Sequence, residues 1–389
     1  MTNRSRAGPG EWLLLLASVM IAFAGCEIAV RAYLQGDEIT WSMVPPAEVR
    51  VRNAGEKLSG TSRILVLGDS QTEWRDTTGH SYVRVAERRL KETGVAVQMV
   101  NLAEPASGLE SYFGNLIAYA DQLDPDVVVV GLYLGNDLDL DTPPLDTPEG
   151  KIAAIRSVER YADKRSVLVR LAKKSMFLSY VYLRGKRYVR QTQPESVEQL
   201  LANLNDLANG DHAYVKKRLQ EVDPAMVEAA RAGVINRGLL EWGISFPDYY
   251  EDLAAARPNS QAGTAVHGAL RDLAALVRFC RKRQLPVAVV LVPPPVWISE
   301  RYHDFFHRIG YRNLGPVSEL VPLVEQVKKA LTRLQVPVVD VLSALRAAHE
   351  HTYIANDEHL NRRGHEIVGA ELARVLVASG LLKRAAKRP

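Results

Sequence analysis

The stretch Ile64–Thr72, "ILVLGDSQT", runs four apolar residues straight into a glycine, an acid and a serine. Such a run reads as a strand buried on both faces, the pattern of a parallel sheet covered by helices. Gly68 breaks the run, so Asp69 and Ser70 fall where the chain leaves the sheet. Two readings of Ser70 stand. It caps the helix that follows, or it is a hydroxyl set where a substrate reaches it. The tripeptide alone does not separate them.

Outward from this stretch, strand and helix signals alternate. Arg63–Leu67 is the first strand, and Tyr82–Thr93 has helical periodicity that stops at Gly94. A strand over Val95–Leu102, a helix over Leu109–Leu123 and a buried strand over Val127–Leu134 follow. Near Asp141 the rhythm breaks into "LDLDTPPLDTPEG", and a mostly helical stretch continues to about Ser260. It then resumes with helix Thr264–Arg283, strand Val287–Val292, helix Val317–Leu334, strand Val336–Val341 and a closing helix from Arg362. The expected plan is one α/β domain in two halves, 61–140 and 263–389, split by a helical insertion over 141–262. Residues 37–60 form a linker, and residues 1–36 a signal-anchor or signal peptide.

The first residues put Arg4 and Arg6 before an apolar run from Trp12 to Cys26. Continued to Leu34, the run reaches the roughly 20 residues of a membrane span. A retained single-pass anchor with the arginines inside is the first expectation, leaving the catalytic domain extracytoplasmic, in a periplasm. Ala22-Phe23-Ala24 allows cleavage and secretion instead, and "FAGC" resembles a lipoprotein box with Cys26 as the lipidated residue. All three deliver the rest of the chain outside the cytoplasm. The two cysteines, Cys26 and Cys280, are too few for a disulfide framework.

The net charge of +4 is unevenly spread. Lys151 to Arg190 holds twelve Lys/Arg against two acids, so the remainder of the chain is net negative by six. Within it, Lys164–Arg190 interleaves Val, Leu, Phe and Tyr with cations that include Lys173, Lys174, Lys186 and Arg187. Either this segment meets an anionic membrane surface or an acidic glycan, or it is a solvated helix face. Nucleic acid is not an expected partner of an exported chain.

In an open parallel sheet, ligands bind beyond the carboxyl ends of the strands. Gly68-Asp69-Ser70 follows the first strand, "NLAEPASG" (Asn101–Gly108) the second, and Gly135-Asn136-Asp137 the third. Asn356-Asp357-Glu358-His359 precedes the last helix. Four polar clusters far apart in sequence should therefore gather along one sheet edge. A serine needs a base to take its proton as it attacks, and His359 titrates near neutrality. Asp357 is placed to hold the imidazole in the right tautomer. The Ser70 N–H, the Gly108 N–H and the Asn136 amide are available to an oxyanion. Taken singly, Gly108 reads as a helix start, Asn136-Asp137 as a turn, and His359 and Asp357 as helix-capping or surface groups.

Together these segments resemble the SGNH (GDSL-type) hydrolases, over about two-thirds of the chain and outside the insertion. "LGDSQT" matches the nucleophile block and "NLAEPASG" the glycine block, "GND" the asparagine block, and "DEHLNRRGH" resembles the terminal acid–base block. The resemblance implies a three-layer α/β/α fold with a flavodoxin-like parallel sheet. It implies Ser70 as nucleophile, His359 as base with Asp357, and Ser70, Gly108 and Asn136 in the oxyanion hole, with no cofactor and no metal. In the commonest terminal block an Asp stands three residues before the His, where this chain has Asn356. Asp357 is kept as the acid, and His365 belongs to the helix start. An exported, membrane-anchored branch of the family implies an acyl-ester substrate, such as acetate on cell-surface carbohydrate. Transfer of that acyl group to a polysaccharide, and non-catalytic glycan binding, are the alternatives. A metallophosphoesterase would need a histidine after the asparagine, and "GND" lacks it.

Overall fold

A computed structural model of the 389-residue chain describes residues 9–33, 47–73, 80–138, 143–161, 196–207, 211–255, 261–317, 321–348 and 350–382, with scattered positions between 177 and 192. In chain order the elements open with α1 (Pro9–Tyr33), α2 (Ala47–Ala54), β1 (Ser62–Leu67), α3 (Ser70–Glu73), α4 (Tyr82–Glu92) and β2 (Val97–Asn101). Then come α5 (Leu109–Leu123), β3 (Val127–Tyr133), and a helical run: α6 (Pro148–Tyr161), α7 (Val197–Leu207), α8 (His212–Glu221), α9 (Pro224–Arg231), α10 (Arg237–Ser245) and α11 (Tyr249–Ala255). The chain closes with α12 (Gln261–Lys282), β4 (Val287–Val292), α13 (His303–Arg308), α14 (Pro322–Arg333), β5 (Val338–Asp340), α15 (Leu342–Arg346) and α16 (Arg362–Ala378).

The strands form one parallel sheet in the order β2-β1-β3-β4-β5. This is the flavodoxin-like order expected from the sequence. Every residue of β3 ("VVVVGLY") and β4 ("VAVVLV") is buried, as a central strand covered on both faces requires. The interior of β1 is buried as well. α4 packs on α16, and α5 packs on α6 and α12. After β1 the chain turns to β2 on one side, and after β2 it crosses to β3 on the other. The sheet therefore has its topological switch point between the carboxyl ends of β1 and β3.

Two glycines set close approaches that the layers depend on. A Cβ on Gly131, in the middle of β3, would collide with Thr72 Oγ1 and the Tyr82 hydroxyl. Those two oxygens share a hydrogen bond of 2.7 Å, which ties the turn after β1 to the start of α4. A Cβ on Gly114 in α5 would run into the backbone of Ala154 in α6. That contact seats the first helix after β3 against the sheet's own helical layer.

Some element limits differ from the expected ones. β5 is three residues rather than six: its pairing with β4 runs only from Val338 to Asp340, after Pro337, which has no N–H to give the ladder. α14 starts at Pro322 instead of Val317, with proline in the first turn, where its missing N–H costs nothing. α1 carries one apolar window, Leu13–Val30, of mean hydropathy 2.3 and wholly unburied. By length and composition α1 is able to cross a membrane. Glu27 Oε2 accepts the Phe177 N–H at 2.9 Å, and the Phe23 and Phe177 rings meet edge-on at 5.8 Å. The cations of Lys164–Arg190 lie outside the described residues. Cys26 and Cys280 are both free thiols.

Candidate active site

β1 delivers Ser70 to the switch point. The Gly68 carbonyl, one residue past the strand, accepts the Glu104 N–H at 3.0 Å and the Ser107 hydroxyl at 3.3 Å. The loop after β2 is thus pinned to the turn that carries Ser70. Asp69 Oδ1 accepts the Gln71 N–H at 3.0 Å, a local turn that points Ser70 out of the sheet edge. Burial pushes the Asp69 carboxyl up to about 7, against the opposing pull of the His359 charge and the Gln71 and Thr72 N–H groups.

His359 arrives on a short loop closed by an isolated bridge between Tyr353 and Leu360. The Ile354 N–H donates to the His359 carbonyl at 2.9 Å, and the Asp357 N–H to the Ile354 carbonyl at 3.3 Å. Asn356 takes the left-handed conformation, φ 61°, which asparagine tolerates better than most residues. That reversal brings Asp357 back under the imidazole. Asp357 Oδ1 lies 2.8 Å from His359 Nδ1, and His359 Nε2 lies 2.9 Å from Ser70 Oγ. With Nδ1–H donated to the carboxylate, Nε2 presents its lone pair to the serine hydroxyl.

The electrostatics agree from both sides of the pair. Burial opposes protonation of His359, but the Asp357 charge and hydrogen bond outweigh it and raise the imidazole pKa. Burial likewise works against ionisation of Asp357, yet His359 and the surrounding hydrogen bonds hold its carboxyl below the usual range. The ion pair is therefore favoured once a proton reaches His359. His365 behaves differently. Burial, then His80 and His359, push it down to about 3, and its Nδ1 accepts the Tyr82 N–H at 3.2 Å, joining α16 to α4.

The two other expected positions lie in the connections that follow β2 and β3. Gly108 is the residue before α5, half-buried, with extended φ −139°. Asn136 lies exposed in the turn after β3. That turn is stapled by Asp137, whose Oδ2 accepts the Tyr133 N–H at 2.7 Å and the Tyr112 hydroxyl at 2.8 Å. Among the described residues, the N–H groups of Ser70 and Gly108 and the Asn136 side-chain amide have no acceptor. Donors of this kind are suited to an anionic oxygen.

Two residues of this region escape sequence reasoning. Gln71 Nε2 donates to the Glu358 carbonyl at 2.8 Å, and Gln71 Oε1 accepts the Leu360 N–H at 3.1 Å. Its amide spans the peptide units on either side of His359. Glu358 Oε2 accepts the Tyr133 hydroxyl at 2.9 Å. Burial raises the Glu358 carboxyl, partly offset by His359. The only sequence signal for Gln71 is its place directly after Ser70, and nothing there names a partner 287 residues away.

No protein-family model matches the chain, and no curated protein matches it. Several solved structures do. A GDSL-like lipase from Bacteroides thetaiotaomicron aligns over 85% of this chain and 96% of its own, at 8% identity and TM-score 0.36. The lipase/acylhydrolase from Enterococcus faecalis aligns over 82% and 97%, at 13% identity and TM-score 0.34. An acetyl xylan esterase aligns over 81% and 99%, at 9% identity and TM-score 0.35.

Proposed function

We propose that the chain is an exported serine esterase of the SGNH type. The observation that carries this reading is the unbroken hydrogen-bond chain Ser70–His359–Asp357, at 2.9 and 2.8 Å, at the switch point of the sheet. In the reaction, Ser70 Oγ bonds to the ester carbonyl carbon while its proton passes to His359 Nε2. The carbonyl oxygen takes up the negative charge facing the Ser70 N–H, the Gly108 N–H and the Asn136 amide. As the tetrahedral adduct collapses, the C–O bond to the alcohol breaks, and His359 returns its proton to the leaving oxygen. An acyl-serine remains. Water then attacks by the same route in reverse, giving the carboxylic acid and free Ser70. Asp357 keeps its negative charge throughout and stabilises the imidazolium.

α1 supports an anchored protein with its catalytic domain on the extracytoplasmic side. The substrate class that suits such a placement is an acyl ester, specifically an acetylated cell-surface carbohydrate. A chromogenic acetyl ester tests the chemistry. Turnover by wild type that disappears in Ser70→Ala and His359→Ala supports the esterase reading, and equal turnover in the variants refutes it. Proteolysis of intact cells and spheroplasts tests the sidedness.

A further inference from the structure

The helical stretch between β3 and β4 forms an open-mouthed cavity of about 270 Å³ that borders the proposed oxyanion turn. Leu138, two residues past Asn136, forms part of its wall. The rest comes mainly from α10, α11 and the segment between them. The Trp242 ring meets Tyr249 edge-on at 5.1 Å and Phe246 at a tilt of 48° and 5.0 Å, so three aromatic side chains cluster in one wall. Asp248 and Asp252 add two carboxylates. Asp248 Oδ1 accepts the Asn313 amide at 2.8 Å, which fixes that carboxylate in the wall.

One group in this wall points to a ligand. Ser245 is only 8% exposed, and its hydroxyl has no hydrogen-bond partner among the described residues. A hydroxyl buried without a partner is destabilising. The oxygen is closed to solvent as it stands, and a rotation about χ1 into the cavity would let a ligand hydroxyl satisfy it.

We propose that this cavity is a subsite for one uncharged sugar ring of the ester substrate. The role as a substrate subsite rests on the esterase reading of Ser70, while sugar binding itself does not. The lining selects among ligand classes. A hydrocarbon acyl chain would strip water from Asp248 and Asp252 and give them nothing in return. A phosphate or uronate would meet two like charges. A pyranose has C–H faces that pack on aromatic rings and hydroxyls that donate to carboxylates. The volume is close to the lower end of small-ligand sites, about 300–1,000 Å³, which suits one ring rather than an extended chain.

The test separates binding from catalysis. Full-length Ser70→Ala protein in detergent is titrated with the methyl glycosides of glucose, galactose, mannose, xylose and N-acetylglucosamine, followed by ligand-detected NMR and tryptophan fluorescence. At least one glycoside is expected to bind, with about tenfold weaker binding after Trp242→Ala. Ser245→Ala, which deletes one atom, is expected to weaken it severalfold, and it decides the matter if Trp242→Ala does not fold. No binding by any glycoside, or binding indifferent to both substitutions, overturns the subsite. Binding of tetramethylammonium in place of the glycosides overturns it in favour of an organic-cation cage. Glycoside binding by a protein whose wild type hydrolyses no acetyl ester leaves the sugar site standing and removes the esterase reading instead.

Discussion

Gln71 grips the main chain on both sides of His359, donating to the Glu358 carbonyl at 2.8 Å and accepting the Leu360 N–H at 3.1 Å. The residue next to the proposed nucleophile therefore holds the loop that carries its base. A hydrogen bond of this kind is worth about 0.5–1.5 kcal/mol net. Loss of both is felt as a looser Ser70–His359 distance. Gln71→Ala is expected to lower kcat by about 10- to 100-fold with little change in KM. Steady-state kinetics on an acetyl ester check this, and an unchanged kcat removes the positioning role.

Asp357 raises the pKa of His359 against the pull of burial. Because the Asp357 charge raises the imidazole pKa, the neutral base is lost as pH falls through a value above the ordinary ~6.5. The acid limb of kcat/KM is expected there. Asp357→Asn should move that limb to lower pH and cut kcat about 10⁴-fold, the size seen when a triad carboxylate no longer fixes the tautomer. A pH–rate profile of both proteins reads the two effects separately.

Gly131 is the tightest point between β3 and the turn that carries Ser70, with Thr72 Oγ1 and the Tyr82 hydroxyl in the space a Cβ would fill. Gly131→Ala is expected to cost about 1–3 kcal/mol by overpacking. Thermal unfolding measures it. Tyr82→Phe in the same chain removes one of the two clashing oxygens and should recover part of the loss.

Asp69 is buried with Oδ2 unpartnered among the described residues, and its pKa is raised to about 7. A carboxyl raised on folding binds its proton more tightly in the native state, so native stability falls as pH rises from about 4 to 7. Asp69→Asn keeps an acceptor for the Gln71 N–H and carries no charge. Its melting temperature relative to wild type is expected to rise between pH 5 and pH 8, as differential scanning fluorimetry across that range would record.

The sheet was legible because β1, β3 and β4 are apolar runs broken by Gly68, Gly135 and Pro293. β4 and α5 fall on their expected limits, and α16 starts where expected. β5 was not, since Val336 and Pro337 continue the apolar pattern while pairing with β4 begins only at Val338. Ser70, Asp357 and His359 were legible as residue types at strand and loop ends. What brings them together was not. The Asn356 reversal that swings Asp357 under the imidazole depends on a backbone angle, and the Gln71 clamp on a contact across 287 residues. The cavity at Trp242 and Ser245 is built from helix packing, which periodicity locates only as buried faces.

The central claim is that Ser70 is an activated nucleophile, and covalent labelling tests it most directly. The full-length protein is treated with a fluorophosphonate and the adduct mapped by peptide mass spectrometry. A single adduct on Ser70, absent in His359→Ala, is the predicted result. A folded wild-type protein that takes up no label at Ser70 would contradict the account.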